Sequence, residues 1–155
     1  MPLERTLYAA IADVLAPSDD DPMSAARQMD RDGRTALHYA ARDGDLDAVR
    51  GLIAQGLDVQ LADRVGFTPL HFVAQGQYAD LVPMFVAAGA DVDARDVWGN
   101  TPLARAVVNS RGRGETILAL LAGGADAHAE NNYGNSPYST AQKVANYDLA
   151  QFFTV

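Results

Sequence analysis

The chain has 155 residues, 48% of them apolar, which is about one domain's worth with a buried core and excludes disorder throughout. Twenty acidic against twelve basic residues give a net charge of −8, with Lys143 the single lysine, a balance that disfavours nucleic acid and anionic membranes as partners. There is no cysteine, so a disulfide framework, a thiolate zinc site and a cysteine nucleophile are excluded together.

Residues 3 to 15 set Leu3, Leu7, Ile11, Val14 and Leu15 on one helical side with Glu4, Arg5 and Asp13 elsewhere, which predicts an N-terminal capping helix. Its apolar run Leu7-Tyr8-Ala9-Ala10-Ile11-Ala12 follows Glu4 and stops at Asp13, and so lacks the basic start and long apolar stretch of a secretory signal. No segment approaches the roughly 20 apolar residues of a membrane span. The expectation is a soluble protein with the cytoplasm as its default address. Asp19-Asp20-Asp21-Pro22 then breaks the helix, and a short helix from Ser24 to Met29 completes a capping unit over residues 1–30. That unit holds six acids against two bases, half of the net charge, and its Asp19–Asp21 run reads as a solvated linker.

From residue 31 the chain repeats itself. Gly33-Arg34-Thr35-Ala36-Leu37-His38 recurs as Gly66-Phe67-Thr68-Pro69-Leu70-His71, Gly99-Asn100-Thr101-Pro102-Leu103-Ala104 and Gly134-Asn135-Ser136-Pro137-Tyr138-Ser139, with offsets of 33, 33 and 35 between the glycines. A second motif keeps step: Gly56-Leu57-Asp58-Val59, Gly89-Ala90-Asp91-Val92 and Gly124-Ala125-Asp126-Ala127. Glycine serves a turn, threonine caps a helix start, and proline fits the first helical turn, where its missing N–H is not needed. Ala40-Ala41, Ala74 and Ala106 allow that first helix to sit close to its neighbour. Second helices follow from the stripes Val49-Leu52-Ile53, Leu81-Val82-Phe85-Val86, Ile117-Leu120-Leu121 and Leu149-Phe152-Phe153, the first three ending at Gly56, Gly89 and Gly124. Pro83 lies in one of these, and Asp80 is expected to cap that helix and leave the proline in its first turn.

On these motifs the chain resembles the ankyrin repeat family, in particular its small bacterial-type members, whose unit is a β-turn followed by two antiparallel helices and whose hallmark is Thr-Pro-Leu-His. The resemblance covers residues 31 to 153 and implies an all-α repeat solenoid, a helix-turn-helix stack with β-turn or hairpin tips. Repeats fall at 31–62, 63–95 and 96–130, with a shortened C-terminal capping repeat at 131–155. The third carries a two-residue insertion within Asn109–Gly114. His38 and His71 hold the family's histidine position and Ala104 and Ser139 replace it. In the family that histidine ties the threonine to neighbouring turns, so a looser C-terminal half is expected.

Little in the chain argues for chemistry. His38 and His71 have turn positions, His128 stands alone in Ala-Asp-Ala-His-Ala-Glu, and the Ser and Thr residues lie at caps, so no metal, cofactor or catalytic residue is expected. Arg111-Gly112-Arg113-Gly114, just ahead of Glu115 and Thr116, would cradle an anion if its N–H groups are free. A phosphate-ligand protein or enzyme using that loop is the alternative from another class; the opposing reading is a solvated connection.

The resemblance also implies a concave face, built from the tips and first helices, that binds another protein. Carried over by position, it comprises Arg31, Arg34 and Arg42; Arg64, Val65 and Phe67; Arg95, Val97, Trp98 and Asn100; and Asn132, Tyr133 and Asn135, with Val108 and Lys143 among its flanks. Phe67, Trp98, Tyr133 and the arginines are the residue types that dominate interfaces. The aromatics would otherwise stack between adjacent tips. The expected function is a non-catalytic protein-protein interaction module, monomeric when free, that regulates, scaffolds or inhibits one partner. An immunity or antitoxin-type inhibitor of a basic toxin or enzyme is the alternative within that class.

Overall fold

Four short segments begin the same way, with a Thr or Ser in extended conformation immediately ahead of a helix: Thr35, Thr68, Thr101 and Ser136. The structure, a computed structural model, describes residues 27–153. Among these, seven α-helices follow in order: α1 (Ala36–Asp43), α2 (Leu46–Ala54), α3 (Pro69–Gly76), α4 (Val82–Ala87), α5 (Pro102–Asn109), α6 (Glu115–Ala122) and α7 (Pro137–Lys143). Single 3-10 turns stand at Ala79–Leu81, ahead of α4, and at Ala150–Phe153. There is no strand among the described residues, and the tips are turns. The expected capping helix at 3–15 lies outside the described residues, as does the first half of that at 24–29; Arg27 is helical, and Gln28 and Met29 are not.

Local sequence explains where each helix starts and stops. The Thr101 and Ser136 hydroxyl oxygens accept the backbone N–H of Ala104 and Ser139, which are otherwise unpaired at a helix start. Asp45 caps α2 by accepting the Ala48 N–H at 3.1 Å. The second helices end as expected: Gly56, Gly89 and Gly124 have positive φ, and Leu57, Ala90 and Ala125 donate back to Leu52, Phe85 and Leu120. Asp80 corrects the expectation for α4. It lies inside the 3-10 turn rather than at a cap, and Leu81 precedes α4 with no side-chain cap. Pro83 still sits in the first turn, where no i→i−4 bond is lost.

The first helices pack in succession, α1 on α3, α3 on α5 and α5 on α7, and the second helices form a layer behind them. Leu37, Leu70 and Leu103 are fully buried at the same place in three successive first helices, beside Ala40, Ala41, Ala74 and Ala106. Val49, Phe85, Ile117, Leu120 and Leu149 fill the space between layers. Each such aliphatic or aromatic side chain contributes about 1.5–3 kcal/mol by leaving water, between the two helices of its own unit and against the adjacent units.

The longer connection lies between α5 and α6, over residues 110–114, against residues 44–45 between α1 and α2. It is clamped. A Cβ at Gly112 would come within 2.6 Å of the Tyr147 ring, and one at Gly114 within 2.3 Å of Phe152.

Candidate functional site

The tips are organised by a side chain three residues before each turn glycine. The Oδ1 atoms of Asp30, Asp63, Asp96 and Asn131 each accept two backbone N–H groups of their own tip, at 2.8–3.0 Å. Successive tips are then joined by backbone bonds: Arg64 N–H to Asp32 O, Val97 N–H to Val65 O, and Asn132 N–H to Trp98 O.

Behind the tips runs a stack of alternating charge and ring. The Arg34 guanidinium lies 5.2 Å from the Phe72 ring centroid, Phe72 meets Phe67 edge-on at 5.3 Å, and Arg105 lies 4.8 Å from Phe67 and 5.5 Å from Trp98. Two buried carboxylates anchor the cations. Arg34 Nε donates to Asp63 Oδ2 at 3.0 Å, and Arg105 Nη2 donates to Asp96 Oδ2 at 2.6 Å. The side chains of Asp63 and Asp96 are 1% and 0% exposed, so these pairs belong to the framework.

This geometry sorts the residues expected on the concave face. Phe67 leaves it: the ring is buried, stacked on His71 and covered by Arg105, because its place in the tip points back toward the first helices. Arg34 and Asn100 are half-buried in the same column, and so is Asn135, which accepts from Lys143 Nζ. Arg42 is exposed, pairs with Asp43 and lies over Tyr39. Val97, Trp98 and Tyr133 are 53%, 40% and 72% exposed on two tips joined by the Asn132–Trp98 bond, with exposed Val108 on α5 of the same unit. Arg31, Arg64, Arg95 and Asn132 are exposed as well, and Val65 is half-buried.

Models of single and multiple ankyrin repeats match the chain, the first over residues 32–64 and the second, of many copies, over residues 52–106. The chain belongs to the ankyrin repeat family. Ankyrin repeats are generally protein-protein interaction modules. No curated protein matches the chain.

The ankyrin histidines act between units. The Thr35 N–H donates to His38 Nδ1 at 3.1 Å, which leaves Nε2 to carry the proton and donate to Phe67 O at 3.1 Å in the next repeat. Thr68, His71 and Asn100 O repeat the arrangement. Burial pushes both imidazoles below their ordinary range, so they are neutral and held in one tautomer. Where the third ankyrin repeat has Ala104 instead, side chains from the fourth unit take over. Asn131 Nδ2 donates to Asn100 Oδ1, and Asn132 Nδ2 donates to Val97 O. The expected looseness of this junction is therefore offset by two amide bonds across it.

At the other edge of the ankyrin stack, the Arg111–Gly114 loop turns two Arg113 donors inward. The Arg113 backbone N–H and its Nε both reach Ser110 O, and Arg111 takes a positive φ of 50°. Glu115 places a carboxylate in the first turn of α6, where an anion would have to bind. Among the described residues no group of three or more His, Asp or Glu lies close enough to hold a metal, and no helix is long and apolar enough to cross a membrane.

Two site residues escaped the sequence reading. Arg105 occupies a first-helix place that reads as solvent-facing, and Asp96 a turn place that reads as polar filler, yet together they position Trp98. The available signal was the recurrence of Asp30, Asp63, Asp96 and Asn131 three residues before each turn glycine.

Proposed function

We propose that this ankyrin protein is a non-catalytic module that regulates, scaffolds or inhibits one partner protein, which it grips through the tip and first-helix face. The observation that carries this reading is the exposure of Val97, Trp98 and Tyr133 on two adjoining tips, with Val108 exposed on the first helix of the same unit. Apolar side chains in such a contiguous group are costly to leave in water unless something covers them. The tips are also held rigidly by their Asx turns, and a preorganised surface loses little freedom on binding. Arg31, Arg64 and Arg95 on the same face count against a basic toxin as the ligand there. The phosphate-ligand reading has less support, because the loop at 111–114 has its Arg113 donors engaged and Glu115 next to it.

The test is affinity capture from the native host with the wild-type chain and with a Trp98→Ala, Tyr133→Ala double variant. Loss of one specific protein from the variant, with thermal unfolding little changed, supports the reading. Capture of the same protein by both chains refutes it for this face.

A further inference from the structure

Two columns of tip residues change character along the stack. At the place just after the turn-organising side chain stand Arg31, Arg64, Val97 and Asn132, and at the next place Asp32, Val65, Trp98 and Tyr133. The N-terminal end of the face is thus cationic and the C-terminal end apolar and aromatic. The cations at that end are not spoken for. Asp63 and Asp96 neutralise Arg34 and Arg105, whereas Arg31 and Arg64 are exposed and have no ion pair or side-chain hydrogen bond among the described residues. Asp32, an exposed carboxylate in the same two columns, lies 4.0 Å from Arg34 Nη1. Arg95 adds a further exposed guanidinium at the boundary between the two ends, and Glu130 stands at the far one.

This local excess of positive charge stands on a chain of net charge −8. A surface of that kind repels basic partners least effectively at the aromatic end and attracts acidic ones only at the arginine end, so it selects orientation as well as charge. We propose, resting on the reading of this face as the binding surface, that the partner presents an acidic run directly beside an aliphatic or aromatic anchor. The Asp and Glu side chains of that segment lie over Arg31 and Arg64, and the anchor packs among Val97, Trp98, Val108 and Tyr133. The apolar contacts supply most of the residence time and the arginines most of the encounter rate.

A random linear peptide library displayed on phage, selected against the full chain, tests this without the natural partner. Enriched peptides are expected to combine two or more acidic residues with an adjacent Trp, Phe or Leu. A synthetic peptide of the winning sequence should lose about tenfold in affinity with Arg31→Glu, Arg64→Glu and weaken as salt is raised. It should lose binding altogether with Trp98→Ala, Tyr133→Ala. Enrichment of basic or uncharged peptides that still depend on Trp98 and Tyr133 overturns this inference and leaves the binding face standing. Peptides indifferent to both double variants overturn the two together, and failure to enrich any peptide overturns the segment proposed here. Binding of a labelled single-stranded oligonucleotide that weakens with salt and that the arginine variant abolishes would also overturn it, because the guanidiniums would then be reading phosphate.

Discussion

Arg105 and Asp96, nine residues apart in sequence, meet at 2.6 Å across the base of a tip, with the carboxylate wholly buried and the guanidinium lying between the rings of Phe67 and Trp98. The pair fixes the chain's only tryptophan relative to the first helices. Arg105→Met keeps an apolar stem under the rings but leaves a buried carboxylate with only backbone donors. It should destabilise by about 2–3 kcal/mol, less than Asp96→Ala and more than Asp96→Asn. Denaturant unfolding gives the order, and a shifted tryptophan emission in the Arg105→Met protein shows that Trp98 has moved.

Gly66 and Gly134 occupy the same turn place with φ of 81° and 74°, but only the first is crowded. A Cβ at Gly66 would lie 2.8 Å from the Asp96 Cα, and one at Gly134 meets nothing within 4 Å. Gly134→Ala should therefore show little beyond the left-handed backbone cost of about 1 kcal/mol. Gly66→Ala should cost about 3 kcal/mol because the next tip must shift. Equal losses in thermal unfolding would show that the tips yield freely.

Acid should weaken the stack through its histidines. The folded imidazoles of His38 and His71 lie below their ordinary range because they are buried, so the unfolded chain takes up protons that the folded chain refuses. Their contribution is complete above the unfolded value of about 6.5 and declines as pH falls below it. Asp30 acts in the same direction at lower pH. Burial raises it, but bonds from Tyr39 and from the Arg34 and Asp32 N–H groups outweigh that and hold it low. Melting temperature should be level from pH 8 to about 7 and fall on approach to pH 5. A His71→Gln protein should start lower and show a shallower fall.

Restoring the missing histidine should stabilise the third junction. Ala104 stands where His38 and His71 stand in their repeats, and its N–H already bonds Thr101. Ala104→His places an imidazole where it can reach the Asn135 carbonyl, as His71 reaches that of Asn100. A gain of about 1 kcal/mol in denaturant unfolding is expected, and a loss would show that the Asn131 and Asn132 bonds have claimed the space.

The insert should resist trypsin only as long as its clamp is intact. Arg111 and Arg113 are exposed cleavage sites, and Tyr147 and Phe152 rest on the glycines beside them. A Tyr147→Ala, Phe152→Ala protein should be cut there several-fold faster at a temperature where both chains remain folded.

The repeat period and the Thr-Pro-Leu starts made the helix pairs legible in the sequence, since turn, cap and apolar stripe are all local signals. The face was legible only in part. Val97, Trp98 and Tyr133 are exposed where tip position implies it, but Phe67 shares a column with Arg34, Asn100 and Asn135, and nothing local reveals that this column turns inward. Its burial depends on Arg105, thirty-eight residues later, folding over the ring. The clamp on the insert is equally remote from local pattern, because Gly112 and Gly114 meet Tyr147 and Phe152 only after α7 has docked. Asp80 failed as a cap for a different reason: a 3-10 turn began one residue before it and absorbed it.

The three junctions differ in what holds them, and that difference divides the face. Imidazoles bridge the first two, whereas neutral amides of Asn131 and Asn132 bridge the third. Amides do not titrate, so mild acidity loosens the half that carries Arg31 and Arg64 while the tips bearing Trp98 and Tyr133 stay fastened to each other. Acid unfolding is therefore expected to begin at the arginine end of the face and to reach the paired tips of Trp98 and Tyr133 last.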